Sequence, residues 1–253
     1  MIWGLVAARL GEAAKKRLEP VLPPELRQRF SHAMLEDVLA ALGGSQALGG
    51  VAVLAGDTEA EEVAHAYGAL SIRDAEGGGL NRAVTRGAAL LARQGATGVL
   101  VAMGDLPCLQ PDDIDRVAAA LGTHAVVAAP SRDGTGTNLL ALRPTDALAF
   151  SFGPQSLAAH REAARAASLE WQEVEAAGAA LDIDTPDDLY ELIRSEDAGR
   201  RPGRALLLLR ERLAAADEIA SAGLGDNELR VAASADVDLS ELGRHALSSL
   251  RLR

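Results

Sequence analysis

Short apolar runs rich in Val, Leu and Ala alternate along this chain with stretches whose apolar residues recur every three or four positions. That alternation predicts an α/β protein, a sheet sandwiched between helices, because strands bury both faces only when helices cover them. Ile2 to Ala7 is expected as the first strand. Pro23 and Pro24 then open a helix in which Leu26, Phe30, Met34, Leu35, Val38 and Leu42 share a face, and Gly43-Gly44 end it. Val51 to Ala55 and Ala69 to Ile72 read as strands, and Asp57 as the N-cap of the helix between them. A helix is expected from Leu80 to Arg93, a strand from Gly98 to Met103, and a helix opened by Pro111. Strands at Ala125–Ala129 and Asn138–Leu142 flank a Gly/Thr loop. A helix over Ser156–Ala167, a strand over Leu169–Val174 and a helix capped by Thr185 complete the pattern near Ser195.

Residues 1–195 thus read as one catalytic domain, and residues 196–253 as a linker with a helical C-terminal extension. Ser195 to Gly203 is polar and bears Gly and Pro. Leu206–Ile219 and Leu239–Leu252 are the expected helices of the tail, separated by a break at Gly223–Asn227. The tail has no catalytic spacing and is expected to serve packing, dimerisation or docking to another enzyme.

Lys15 and Lys16 are the only lysines among 25 Lys and Arg, and they stand together just after the first strand, between Arg9 and Arg17. Lysine approaches phosphate as a mobile point charge and arginine as a rigid fork, so this cluster suits a polyphosphate. The net charge of −11 makes the cluster a local exception and argues against nucleic-acid binding, which needs a broad basic surface. No run approaches the roughly 20 apolar residues of a membrane span. Met1 to Arg9 lacks the basic start and long apolar core of a signal peptide, so a cytoplasmic protein is expected. A single cysteine, Cys108, excludes a disulfide framework and a cysteine zinc site.

Asp105 follows a strand, at the edge where open α/β sheets bind ligands. Asp182 and Asp184 flank Ile183, so an extended backbone turns both carboxylates to one side. Three carboxylates in one crevice repel unless a cation lies between them, and Mg²⁺ suits oxygen donors beside phosphate. Helix capping is the alternative role, but Thr185 before Pro186 already fills it. Gly134-Thr135-Gly136-Thr137-Asn138 is read as a loop able to aim backbone N–H groups at an anion. Gly153-Pro154-Gln155-Ser156 precedes a helix whose N-terminus favours phosphate. His160, four residues after Ser156, is either a further phosphate contact or an ordinary surface histidine. Gly77-Gly78-Gly79-Leu80-Asn81 lets a flat base approach the backbone, with Asn81 to read its edge. Dinucleotide, Walker and Ser-His-Asp patterns are missing.

Jointly these segments resemble the 2-phospho-L-lactate or phosphoenolpyruvate guanylyltransferases of deazaflavin coenzyme (coenzyme F-420) biosynthesis. The likeness rests on Ala14-Lys15-Lys16-Arg17-Leu18, Ala33-Met34-Leu35-Glu36-Asp37-Val38-Leu39, Gly79-Leu80-Asn81, Asp105-Leu106-Pro107, Gly136-Thr137-Asn138, Phe152-Gly153 with Ser156 and His160, and Asp182-Ile183-Asp184-Thr185-Pro186. It implies a three-layer α/β/α sandwich with a Rossmann-like mixed sheet, of the nucleotide-diphospho-sugar transferase type. It further implies that Arg9, Lys15 and Arg17 grip GTP, with Lys15, Arg17 and Asp105 catalytic, and that Gly79 and Asn81 lie near guanosine. Asp105, Asp182 and Asp184 would hold magnesium, and Thr137, Gly153 and Ser156, with His160, the phosphate of a small phosphorylated acid. The chain departs from the family in carrying Ala7 and Arg9 where Pro and Lys are usual.

Phosphoenolpyruvate is the favoured acceptor, with 2-phospholactate and 3-phosphoglycerate beside it, because Ala- and Arg-rich, lysine-poor composition resembles the bacterial branch. Molybdopterin and sugar-1-phosphate nucleotidylyltransferases share such a fold, but their G-x-x-x-R-M-G-type loop is not matched by Leu10-Gly11-Glu12-Ala13-Ala14-Lys15. An inactive nucleotide-binding subunit is a further alternative, which the three retained carboxylates argue against.

Overall fold

The computed structural model describes residues 1–10, 15–73, 78–195 and 203–221. Seven strands form one mixed sheet: β1 (Ile2–Ala8), β2 (Leu48–Ala55), β3 (Leu70–Arg73), β4 (Gly98–Met103), β5 (Val126–Pro130), β6 (Thr137–Leu142) and β7 (Trp171–Glu173). Their order is β3-β2-β1-β4-β6-β5-β7. β6 pairs antiparallel with both β4 and β5, whereas the remaining pairings are parallel. The helices are α1 (Pro24–Gly44), α2 (Thr58–Ala66), α3 (Leu80–Arg93), α4 (Pro111–Ala120), α5 (Ser156–Ala166), α6 (Pro186–Arg194) and α7 (Arg204–Ser221).

Two apolar layers follow from the two-residue period of the strands. Val6, Leu100 and Ala102 face α1, α2 and α4 through Val38, Leu42, Val63, Ile114 and Val117. Leu5, Val99 and Val101 point the other way, onto Val84 and Leu91 of α3 and Leu157 of α5. Full burial of such Leu and Val side chains contributes roughly 1.5–3 kcal/mol each, an upper estimate because unfolded chains already hide some surface. Their alternation fixes the register, since a one-residue slip would turn each side chain to the opposite layer and undo its packing.

A third cluster joins α1, α6 and α7 through Phe30, Met34, Leu189, Leu192, Ala205, Leu206 and Leu209. Asp37 on α1 accepts hydrogen bonds from Arg204 N at 2.7 Å and Ala205 N at 3.0 Å, capping α7 from a neighbouring helix. The tail helix therefore begins two residues before the expected Leu206 and packs on the core.

Expected and observed elements differ at several ends. Gly43 and Gly44 lie inside α1, which stops at Ser45, whose hydroxyl bonds Asp115. β7 is shorter than the expected Leu169–Val174: Trp171–Glu173 pair with Val126–Ala128, and Glu170 O and Val174 N close the ends of the ladder on β5. The expected helix at Leu239–Leu252 and the break at Gly223–Asn227 fall outside the described residues.

Candidate active site

The parallel strands end together, and at that edge the sheet gathers two groups of polar residues. The first is charged. Beyond β1, Leu10 N donates to Asp57 Oδ2 at 2.7 Å, tying the outgoing chain to the start of α2. Lys15 then adopts a left-handed backbone, φ 50°, and a single 3-10 turn over Lys16–Leu18 buries Leu18. The Lys15 ammonium bonds Asp105 and, at 2.8 Å, Asp184 Oδ1. Its side chain is 14% exposed, whereas Arg17, with Nη1 3.7 Å from Asp184 Oδ2, is 75% exposed.

The carboxylates reach this corner from two segments that are themselves joined. Asp105 follows β4, and its carbonyl accepts the Ile183 N–H at 3.2 Å. Ile183 is fully buried, so Asp182 and Asp184 on either side of it turn toward the edge. Asp188 Oδ2 accepts from the N–H groups of Asp184 and Thr185, completing a capping box at α6. The cap therefore uses Thr185 and Asp188 and leaves the side chains of Asp182 and Asp184 for the crevice.

The charges answer one another. Burial lowers the Lys15 pKa, but the attraction of Asp105 and Asp184 outweighs it and the net shift is upward. Burial likewise opposes ionisation of Asp184, yet Lys15 and Arg17 hold it below the usual carboxylate range. Asp182 is pushed up, chiefly by burial and then by repulsion from Asp105 and Asp184, against a hydrogen bond from Asn138. The Lys15 ammonium lies between Asp105 and Asp184, where the sequence led to the expectation of Mg²⁺. Among the described residues no three His, Cys, Asp or Glu groups stand so as to enclose a metal ion by themselves. A cavity of about 430 Å³ adjoins this corner, lined by Arg9, Lys15, Lys16 and Arg17 and by Ser31, Met34 and Leu35 of α1.

The second group is neutral. The β4–β6 register pairs Ala102 with Leu139, and Thr137, the first residue of β6, pairs with Pro130 on β5. Asn138 donates to Asp182 Oδ1 at 3.1 Å and to the Ala179 carbonyl at 2.8 Å, linking β6 to the carboxylate segment. Ser156 Oγ accepts the Thr137 N–H at 2.9 Å. Gly153 and Gln155, both at positive φ, turn the chain into α5.

The expectations for His160 and for the Gly/Thr loop are corrected here. His160 is neither a surface residue nor a direct ligand contact. It is fully buried, with Nε2 bonded to Ser151 N and Nδ1 to Thr137 Oγ1, and burial lowers its pKa to about 4. The Asn81 amide bonds both Phe152 N, at 2.7 Å, and Phe152 O, at 3.0 Å, which leaves one N–H and one lone pair uncommitted. The Gly/Thr loop does not aim its amides outward: those of Gly134, Thr135, Gly136 and Thr137 go to Ser131 O, Asp133 Oδ1, Ser131 Oγ and Ser156 Oγ. The first α5 amides are spent too, Ser156 N on Gly153 O and Leu157 N on Thr135 O. Asp133, held near a pKa of about 2 by Ser131 and Thr135, keeps this loop closed on itself.

Sequence reasoning missed Asn138 as the link to Asp182, although it stands in the Gly136-Thr137-Asn138 run. It also missed the α1 wall of the cavity, whose Ser31, Met34 and Leu35 share the spacing of a helix face.

The mixed sheet and its covering helices form a nucleotide-diphospho-sugar transferase-like fold. A solved Desulfovibrio desulfuricans protein described by that name aligns with a TM-score of 0.69 at 19% identity, covering 84% of this chain and 95% of its own. A nucleotidyl transferase from Methanothermobacter shares the fold at a TM-score of 0.55 and 19% identity, over 76% of this chain and 95% of its own. The chain belongs to the CofC-like guanylyl transferase family, whose model matches residues 5–201, and it is a nucleotidyltransferase. The phosphoenolpyruvate guanylyltransferase of Conexibacter woesei is 42% identical over 196 residues, 77% of this chain and 87% of that protein. The 3-phospho-D-glycerate guanylyltransferase of Phenylobacterium zucineum is 40% identical over 216 residues, 84% of this chain and 98% of that protein.

Proposed function

We propose that this guanylyltransferase condenses GTP with phosphoenolpyruvate, releasing pyrophosphate and forming a diphosphate-linked guanosine, as a cytoplasmic step toward coenzyme F-420. The reading is carried by the Lys15 ammonium, held between Asp105 and Asp184 at the mouth of a cavity lined by Arg9, Lys16 and Arg17. Four cations suit a triphosphate, and the neutral hydroxyls of Thr137 and Ser156, tied to the carboxylate segment through the Asn138–Asp182 bond, suit a second, smaller anion.

An oxygen of the acceptor phosphate attacks the α-phosphorus of GTP. The bond from that phosphorus to the bridging β-oxygen breaks, and its electron pair leaves with pyrophosphate. The attacking oxygen is already ionised near neutral pH, so no general base is needed. The obstacle is repulsion between two anions, and catalysis is positioning and charge neutralisation. Lys15, Arg17 and Arg9 hold the triphosphate and lower that repulsion. Asp105, Asp182 and Asp184 do not enclose a metal ion by themselves, so a Mg²⁺ here would need substrate phosphate oxygens beside them. Magnesium commonly takes one or two carboxylates and completes its sphere with substrate phosphates. Asp105 with Asp182 and Asp184 would hold it, and it would supply further neutralisation of the phosphate charge.

A second reading takes 3-phosphoglycerate as acceptor, favoured by the Phenylobacterium relative with its 98% coverage. The test is pyrophosphate release from GTP and magnesium with phosphoenolpyruvate, 2-phospholactate and 3-phosphoglycerate offered separately. Preference for phosphoenolpyruvate is expected. Preference for 3-phosphoglycerate would establish the second reading, and no release with any acid by folded, GTP-binding protein would refute both.

A further inference from the structure

We propose that His160 is a positioning residue that directs the Thr137 hydroxyl proton, so that Thr137 and Ser156 present two O–H donors to one phosphate-type oxyanion. The identity of that anion as the acceptor phosphate rests on the function proposed above; the proton arrangement does not.

The Ser151 N–H lies 2.9 Å from His160 Nε2. A backbone amide only donates, so Nε2 accepts and carries no proton. A neutral imidazole keeps one proton, which must then sit on Nδ1. Nδ1 is 3.1 Å from Thr137 Oγ1 and donates to it. Thr137 Oγ1 is thereby an acceptor within the protein, and its own proton remains unspent. Ser156 repeats the arrangement, since its Oγ accepts the Thr137 N–H at 2.9 Å. Two adjacent hydroxyls thus both accept inward and both have a proton left to give.

The surroundings enforce this. His160 is fully buried, with the Phe152 ring edge-on at 5.1 Å, and burial alone pulls its pKa to about 4. A charged ring would carry protons on both nitrogens and would set a proton against the Ser151 N–H. The amides around the hydroxyls are already used inside the loop and at the start of α5. Thr137 and Ser156 are only 3% and 2% exposed, which restricts the direction their protons face. A buried donor without an acceptor is unfavourable, and an oxyanion at the adjoining edge supplies the acceptor.

Two substitutions separate donor from scaffold. His160→Asn keeps an amide nitrogen near the place of Nδ1, able to donate to Thr137, and loses the Ser151 contact. His160→Gln keeps an amide oxygen near the place of Nε2, able to accept from Ser151, and loses the Thr137 contact. Phosphoenolpyruvate binding, measured by calorimetry without turnover and by KM, is expected to weaken about tenfold in the Gln variant, the loss of one hydrogen-bond alignment. It is expected to stay within about threefold in the Asn variant, with the KM for GTP unchanged in both. Equal weakening in both variants, or parallel loss for GTP, would make His160 a merely structural residue. Imidazole ¹⁵N NMR of the unsubstituted protein at neutral pH decides the proton placement even where a variant does not fold. Protonated Nδ1 with bare Nε2 is expected, and the opposite tautomer or a charged ring overturns the proposal. Absence of turnover with every acid alongside the expected tautomer would count against the function and leave the proton placement standing.

Discussion

The Lys15 corner and the Thr137 corner occupy one edge of the sheet, yet they hold their geometry by different means. Around Lys15, ammonium and guanidinium groups face carboxylates, several of them half exposed, on long side chains that adjust. Around Thr137, short neutral groups are buried and every contact has one donor and one acceptor. Charges at an open edge attract a polyanion from a distance and tolerate its many conformations. Buried hydroxyls with assigned protons select by direction and distance. The contrast suits an enzyme that takes a large, mobile triphosphate on one side and a small phosphorylated acid on the other.

The largest effect is expected at the charged corner. Asp105→Asn leaves Lys15 with one carboxylate and is expected to lower turnover on the order of 10³-fold, about 4 kcal/mol of barrier, with the fold retained. Steady-state rates alongside circular dichroism check this, and parental turnover would remove Asp105 from the chemistry. The neutral corner shows itself through pH. The folded pKa of His160, about 4, lies below the ordinary 6.5, so between those values the unfolded chain binds more protons. Stability from this group is complete above pH 6.5 and falls as pH drops toward 4, by up to about 3 kcal/mol. His160→Gln lacks that component, so the stability gap between the two proteins in denaturant titrations is expected to change across this window; a constant gap would show an unburied ring. The smallest effect is expected at the seam with α3. Asn81→Ala removes both bonds to the Phe152 backbone and is expected to cost about 2 kcal/mol, read as a lower denaturation midpoint. Acceptor KM is expected to rise more than GTP KM, since Phe152 leads into the Gly153–Ser156 turn; the reverse order would place Asn81 on the guanosine side.

The charged corner was the more legible in sequence. Asp105 follows an apolar run, Asp182 and Asp184 flank an apolar residue, and the lysine pair stands alone in an arginine-rich chain. Each of those signals is local, and strand geometry converts it into a direction. The Asp57 cap and the Thr185 cap were legible for the same reason, with side chains that bond amides three residues on. His160 was not. Its spacing from Ser156 gave the right helix face, but whether that face turns inward depends on Phe152 and Ser151, fixed by tertiary packing. The Asn81 tie to Phe152 was not legible because its partner lies 71 residues away. The loop amides failed as anion donors because Ser131, Asp133 and Ser156 had already taken them, and no local pattern records such a preference.

The most direct test follows phosphorus atoms rather than rates. Protein, GTP, magnesium and phosphoenolpyruvate are incubated together, and the products are resolved by mass and by ³¹P NMR. A guanylylated acid is expected, with two coupled diphosphate resonances, one from the α-phosphorus of GTP and one from the acceptor, and with one pyrophosphate per product. Conversion of GTP to GMP and pyrophosphate with the acid unchanged, or no consumption of GTP, would contradict the account.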